Sequence, residues 1–441
     1  MSEPRILIIG GGIAGLAAGS YARMNGFAAD VFESHHLPGG LCTGWDRKGF
    51  HFDGCLHWLM GSAPGSAFHR YLVELGALVD RDFHYPDSFM HHTGTDGQTV
   101  SWYCDADRLQ AELLRVSSAD RPRIRKLVRL IKAFAGFDMP TDKPFSLMNR
   151  REILGVILKM LPYGRAYSQA MAQTIGEFAD SFQSSLIRES LRNALYDPRY
   201  PLMALATTLG SLHARSAGFP LGGSLALAKA IAARFEKLGG HLHLSSPVMA
   251  IRHAGGKAIG IQLADGRDID GDFVIAACDL RQLLDKLLEG RFPSPAHETI
   301  LAPDVPKMGS CLQVSFGLHS FTAIEQAIIA GNGEEAMSFR QELPQEFSFT
   351  GGRIRQFAFK DFGFDPSLAP AGHRVITCLI PVDDFAAWER LASDRGAYLA
   401  EKERIAGFCA DQLENRFPGF RQALVTQDIA SPLTYQLYTG S

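Results

Sequence analysis

The segment Arg5-Ile6-Leu7-Ile8-Ile9-Gly10-Gly11-Gly12-Ile13-Ala14-Gly15 leaves the chain few architectures to choose from. Ile6 to Ile9 is an unbroken run of β-branched and leucine side chains, as expected of a parallel strand buried on both faces. The glycines that stop it fit G-x-G-x-x-G, and a fourth follows at Gly19. Small and helix-forming residues fill Ile13 to Met24, and Gly26 predicts the helix C-cap. Ala28 to Phe32 reads as a second strand, ending at Glu33. Strand, glycine turn, helix, strand and acid therefore follow one another in the order that binds a dinucleotide.

Each residue type has a physical role. Gly10 permits the tight turn, Gly12 admits a pyrophosphate against bare backbone, and Gly15 lets the helix lie close to the strand. The helix N-terminal amides of the run Gly11, Gly12, Ile13 and Ala14, with the helix dipole, favour the diphosphate. Glu33 stands where a carboxylate accepts the ribose hydroxyls of the adenosine half, with Ser34 beside it among the cofactor contacts. An acid there disfavours a 2′-phosphate, but FAD and NAD share a free 2′-hydroxyl, so the motif alone separates neither.

The next segment does separate them. Leu37-Pro38-Gly39-Gly40-Leu41-Cys42-Thr43-Gly44 is followed by Lys48-Gly49-Phe50-His51-Phe52-Asp53-Gly54-Cys55-Leu56-His57-Trp58. A nicotinamide enzyme has no use for a second bare backbone stretch so close to the first. A flavin does, because its ribityl chain and ring extend beyond the diphosphate. This string resembles the FAD-binding start of the amine oxidase and phytoene desaturase superfamily, in particular its branch of carotenoid isomerases and retinol saturases. Phe219-Pro220-Leu221-Gly222-Gly223-Ser224 and Asp365-Pro366-Ser367-Leu368-Ala369-Pro370-Ala371-Gly372-His373 extend the resemblance.

The resemblance implies an α/β fold: a Rossmann-like FAD-binding domain of the GR2 flavoprotein type, with an inserted mixed α+β substrate domain. Residues 1–65 would form the first FAD-binding segment and 66–210 the helical part of the substrate domain. Residues 211–300 would return to the FAD domain, and 301–441 would supply a substrate-domain sheet. It further implies FAD contacts at Gly39, Gly40, Leu41, Cys42 and Leu56, at Val248 by its backbone to the adenine, and at Ala276 and Ala277. His57 and Trp58 would lie beside the ring as the catalytic candidates, one giving a proton or hydrogen bond and the other stacking on substrate. A histidine hydrogen-bonded in the core is an equal reading of His57. Asp53 reads as fixing a turn. Relatives continue past a Pro-Leu-Thr-Tyr stretch into a last flavin-covering segment. The chain stops at Ser441, so that segment is expected to be missing.

The activity so implied is an FAD-dependent oxidoreductase that desaturates, saturates or isomerises double bonds of an apolar polyene or isoprenoid-like substrate. An amine oxidase acting on a C–N bond and a truncated, catalytically silent nucleotide-binding protein are the alternatives. Composition narrows other classes. With 44 basic and 47 acidic residues the net charge is −3, which gives no reason to expect nucleic acid. Hydrophobic residues at 46% and charged at 21% exclude disordered and collagen-like chains. Seven cysteines without a C-x-x-C pair suit a reducing compartment and no zinc site. No H-E-x-x-H or G-x-S-x-G occurs, and His91-His92 is an isolated pair. No signal peptide is read at Met1 to Ile9 and no run of about 18 apolar residues exists, so a cytoplasmic protein is expected.

Two elements suggest peripheral membrane contact. Arg121 to Ala135 has Ile124, Leu127, Val128, Ile131 and Phe134 at helical spacing, with Arg121, Arg123, Arg125, Lys126, Arg129 and Lys132 elsewhere. It is either a core-facing helix with a solvated basic face or a helix lying on an anionic membrane. Ile153 to Leu161 is too short to span a bilayer and is either a buried helix or an interfacial foot. Ser310 to Leu318, Arg355 to Phe359 and Val375 to Pro381 predict an antiparallel sheet flooring the substrate cavity. Asn332 to Glu335 and Pro366 to Gly372 read as surface loops. The oligomeric state is unspecified.

Overall fold

The computed structural model describes residues 3–138, 143–195, 197–292, 298, 302, 310–320 and 336–439. The stretch Asn332 to Glu335 lies outside them. Arg5–Ile9 forms the inner strand of a four-stranded parallel sheet, ordered His241–His243, Ala28–Phe32, Arg5–Ile9, Phe273–Ala276. Its apolar run is buried on both sides, which is why it lacks alternation. Ile6 and Ile8 pack with Leu16, Ile231 and Phe235 of the helices Ile13–Met24 and Gly223–Lys237. Leu7 and Ile9 pack on the other face with Ile261 and Leu263. Those two residues belong to a three-stranded antiparallel sheet of Val248–Ala254, Lys257–Leu263 and Asp268–Asp270. Sequence segments 200 residues apart thus build one dinucleotide-binding body. The outer strand is less covered than its composition suggests, with Phe273 exposed.

A seven-stranded sheet forms the second body, ordered Leu424–Ala430, Ser310–His319, His373–Val382, Gly352–Asp361, Phe339–Phe349, Ser88–Thr93, Thr99–Tyr103. The last two strands come from the segment read as helical. Every pairing is antiparallel except that of Phe339–Phe349 with Ser88–Thr93. Period two divides this sheet sharply. Leu312, Val314, Phe316, Phe339, Phe357, Phe359, Ile376 and Cys378 face the long helix Arg395–Arg416, meeting Ile405, Cys409 and Leu413. The alternate residues Gln313, Ser315, Thr377, Lys360 and Arg340 share the opposite face and are also buried.

Helices between Ala106 and His213 form a third cluster. In Arg121–Phe134 the apolar residues Ile124, Leu127, Val128, Ile131 and Phe134 are buried within it, and Arg121, Arg125, Arg129 and Lys132 face outward. The core-facing reading therefore describes this helix, and the lipid-facing one does not. Arg150–Met160 is the reverse case. Its capping box, Asn149 with Glu152, starts it firmly, yet no residue of it is buried. Pro366–Leu368 is a short turn of helix with Leu368 buried, so only its flanks are surface loop. Among the described residues no helix is long and apolar enough to cross a membrane.

Candidate flavin site

The opening turn is built by main chain. Gly10 has φ +104°, and a Cβ there would lie 2.7 Å from the Ala277 carbonyl oxygen. A Cβ on Gly15 would fall 1.9 Å from the Gly10 oxygen, so the helix reaches the turn only because residue 15 is glycine. Ala277 donates its N–H to the Ile9 carbonyl (2.8 Å), and Ala276 pairs with Ile9. Gly12 is the N-cap of Ile13–Met24 and offers no capping side chain, and the first turn carries no acid. The amides at Ile13 and Ala14 consequently face the turn without a protein anion, which suits a diphosphate.

The second glycine run lies against the first. Gly39 donates its N–H to the Gly11 carbonyl (2.9 Å), Gly12 and Gly39 form a parallel bridge, and Gly40 has φ +59°. A Cβ on Gly40 would approach the Gly12 Cα to 3.4 Å, whereas one on Gly12 would meet nothing nearer than 3.9 Å. The two bare stretches therefore leave room along Gly12 that only an added side chain would take. Glu33, buried at the end of its strand, accepts from the Gly11 N–H (2.7 Å), from the His35 N–H (2.8 Å) and from the Ser34 hydroxyl (3.1 Å). Its carboxylate has about four acceptor sites, so one remains for a ribose hydroxyl. Cys42 is buried with its thiol on the Ser224 carbonyl (3.2 Å), while the Leu41 side chain is exposed. Val248 begins its strand and packs with Leu7, Ile9 and Phe32.

Asp53 locks the segment that carries Leu56, His57 and Trp58. Its carboxylate accepts from the Ser224 hydroxyl (2.8 Å), the Ser224 N–H, the Cys55 N–H (3.1 Å) and the Leu56 N–H (3.2 Å). Gly223, at φ +73°, leaves no space for a Cβ beside that carboxylate. Gln313 donates to the Asp53 carbonyl (2.8 Å) and to Ser315 (3.1 Å), and accepts from the Tyr435 hydroxyl (2.9 Å). Burial raises the Tyr435 phenol pKa above its ordinary range. Asp53 fixes its turn as read, whereas its partnership with Ser224, the roles of Gln313 and Tyr435, and the cations Lys360 and Arg340 are the parts that the sequence did not single out. The hydroxyl that follows Gly222-Gly223 was the available signal.

His57 lies deep in the protein. Burial, together with the charges of Lys360 and Arg340, pushes its pKa down to about 3. The ring is neutral at physiological pH, so it offers an N–H or a lone pair and never an imidazolium proton. Trp58 sits edge-on to Phe89 at 5.9 Å between centroids and 5.9 Å from the His57 ring. His57 and Trp58 are brought to one place with Leu56, while Glu33, Ser34 and Val248 stand at the far end of the glycine turns. Among the described residues no cluster of His, Cys, Asp or Glu has the arrangement of a metal site.

A family profile described as flavin-containing amine oxidoreductase matches residues 13–418. The chain belongs to that family. Its cofactor is FAD, and it is an FAD-dependent oxidoreductase. A chloroplastic prolycopene isomerase from an Oncidium hybrid cultivar is 24% identical over 98% of this chain and 73% of its own length. A lycopene-forming phytoene desaturase from Pseudescherichia vulneris is 25% identical over 98% and 86%. In fold the chain is similar to a putrescine oxidase (TM-score 0.58, 12% identity, 99% of this chain and 90% of that one). It is also similar to an oxidoreductase from Methanosarcina mazei (TM-score 0.57, 16%, 96% and 87%).

FAD fits the residues present: the uncapped helix start, the apposed glycine turns and the spare capacity of Glu33 match the diphosphate and ribose of its adenosine half. When bound it supplies the hydride acceptor or donor. The chain's own part is to hold the diphosphate on main chain, to fix Leu56 to Trp58 through Asp53, and to present a neutral imidazole.

Proposed function

We propose that this protein moves a hydride between FAD and an extended polyene or isoprenoid-like substrate, thereby desaturating, saturating or isomerising a double bond. The observation that carries this reading is that relatives named for such double-bond chemistry match 98% of the chain. The neutral His57 and the Trp58–Phe89 pair agree with it, since they offer an aromatic wall without a strong acid. The test is anaerobic. The FAD-loaded protein is mixed with phytoene, prolycopene or putrescine, while flavin absorbance and polyene isomers are followed. Change in a polyene supports the reading. Bleaching of the flavin by putrescine, with the polyenes unaltered, replaces it with C–N oxidation.

The same reading includes a peripheral membrane contact, from the cytoplasmic side, by which an apolar substrate enters. It is supported by Phe145, Leu147, Leu154, Ile157, Leu158 and Leu161, all exposed on and around Arg150–Met160, with Arg150, Arg151 and Lys159 among them. Apolar side chains interleaved with cations suit an interfacial helix. Sedimentation with anionic phospholipid vesicles should carry the protein down. Replacing Leu154, Ile157 and Leu158 by serine together should leave it in the supernatant, and equal sedimentation of both proteins refutes the contact.

A further inference from the structure

A hydrocarbon ligand asks for an apolar wall, yet the sheet face nearest His57 is polar and cationic. Lys360 and Arg340 are 7% and 3% exposed. Arg340 pairs with Ala358, two residues before Lys360, so the two cations are diagonal neighbours on one face of adjacent strands. Such neighbours lie roughly 7–8 Å apart, within mutual reach of long side chains. Both charges act on the His57 ring. Arg340 donates to the Ala194 carbonyl (3.1 Å). The Lys360 ammonium donates to the His57 carbonyl (3.3 Å) and lies 4.4 and 4.6 Å from the ring centroids of Phe219 and Phe362.

A carbonyl and two ring faces solvate a buried ammonium only in part. Among the described residues no carboxylate stands within ion-pair distance of Lys360. Asp53 acts on it at longer range, with its own oxygens taken by Ser224, Cys55 and Leu56. Burial pulls the Lys360 pKa down to about 8, still high enough for the charged form to prevail at pH 7. His57 keeps part of its surface open, so the residues beside Lys360 are not sealed on every side.

We propose that the substrate is an amphiphile, a polyene or isoprenoid chain that ends in a carboxylate, and that Lys360 with Arg340 beside it holds that carboxylate. The inference rests on the polyene reading above and narrows its substrate class. The Lys360 ammonium supplies a point charge that is already desolvated, and the Arg340 charge beside it adds attraction for an anion. Anchoring one end fixes how far the chain extends past Trp58, and hence which double bond lies beside the flavin.

The test uses the FAD-loaded full chain, with all-trans-retinoic acid and its methyl ester as probes, and reads dissociation constants from the polyene absorbance and flavin fluorescence. The acid should bind at least about tenfold more tightly than the ester, a difference of about 1.4 kcal/mol. Lys360→Met should bring the two constants within about twofold by weakening the acid alone, and Lys360→Arg should restore most of the preference. An ester that binds wild type as tightly as the acid overturns the anchor and leaves the polyene reading standing. Failure of both probes to bind overturns the two together. Should Lys360→Met not fold, the wild-type comparison of acid with ester still decides.

Discussion

Asp53→Asn isolates what the buried carboxylate does for the flavin site. Asp53 and Ser224 are both buried, and the carboxylate accepts from four donors: the Ser224 hydroxyl and N–H, and the N–H groups of Cys55 and Leu56. An asparagine has one acceptor oxygen. Placed where Oδ1 stands, it keeps three of these donors without charge assistance, each weaker by about 1 kcal/mol. Its NH2 group then confronts the Ser224 N–H, and a buried donor left unmet costs about 1–3 kcal/mol. Relief from burying a charge offsets part of this, leaving a net loss of roughly 3 kcal/mol, or about 150-fold in an equilibrium constant. The loss falls on the contact between Cys55–Trp58 and the start of Gly223–Lys237. It should therefore appear as weaker FAD binding and as flavin release at lower urea, both read by flavin fluorescence. Ser224→Ala should lose less, and the double variant should lose less than the sum, since the two side chains share one bond. A variant that binds FAD within twofold of wild type, with an unmoved release midpoint, would refute the argument.

Other outcomes follow from the same geometry. Gly12→Ala has space for its Cβ and should fold, yet lose more than about tenfold in FAD affinity because the methyl enters the diphosphate groove. Gly15→Ala, with its Cβ 1.9 Å from the Gly10 oxygen, should instead lower soluble yield and thermal midpoint, and equal behaviour of the two variants would contradict the groove. His57 is depressed to about 3 from an ordinary 6.5, so between these values the unfolded chain binds a proton that the folded one refuses. Stability should therefore rise with pH across that window, by up to about 1.4 kcal/mol per unit, and level off above it. Urea midpoints of wild type and His57→Gln from pH 4 to 7 check this, and parallel slopes would count against it. Gln313→Leu strands the Tyr435 hydroxyl and should cost about 2 kcal/mol, part of which the added change Tyr435→Phe recovers.

The dinucleotide turn was legible because its physics is local. A strand buried on both faces, glycines at fixed offsets and an acid at the next strand end all act within one short stretch, and the strand and helix limits fell within a residue or two of those read. The strand Ser310–His319 was legible for a similar reason, its partial alternation, and Arg355 to Phe359 and Val375 to Pro381 fall within the strands Gly352–Asp361 and His373–Val382. The split of that sheet into phenylalanine and polar faces was not read, because assigning a face needs the register between strands. The Asp53–Ser224 bond joins residues 171 positions apart, and the Lys360 bond to His57 joins residues 303 apart. No periodicity carries information over such separations. The basic helix Arg121–Phe134 shows the opposite difficulty: amphipathicity declares an apolar face but is silent on whether protein or lipid meets it.

The two-faced sheet also bears on how such a protein changes its chemistry over generations. Substitutions at alternate positions of a strand are almost independent of one another. A new residue at 340 or 360 alters the charge beside His57, while 339, 359 and 376 go on gripping the long helix behind. Selectivity for an end group can drift one side chain at a time while the phenylalanine packing on the reverse side of the same strands stays in place.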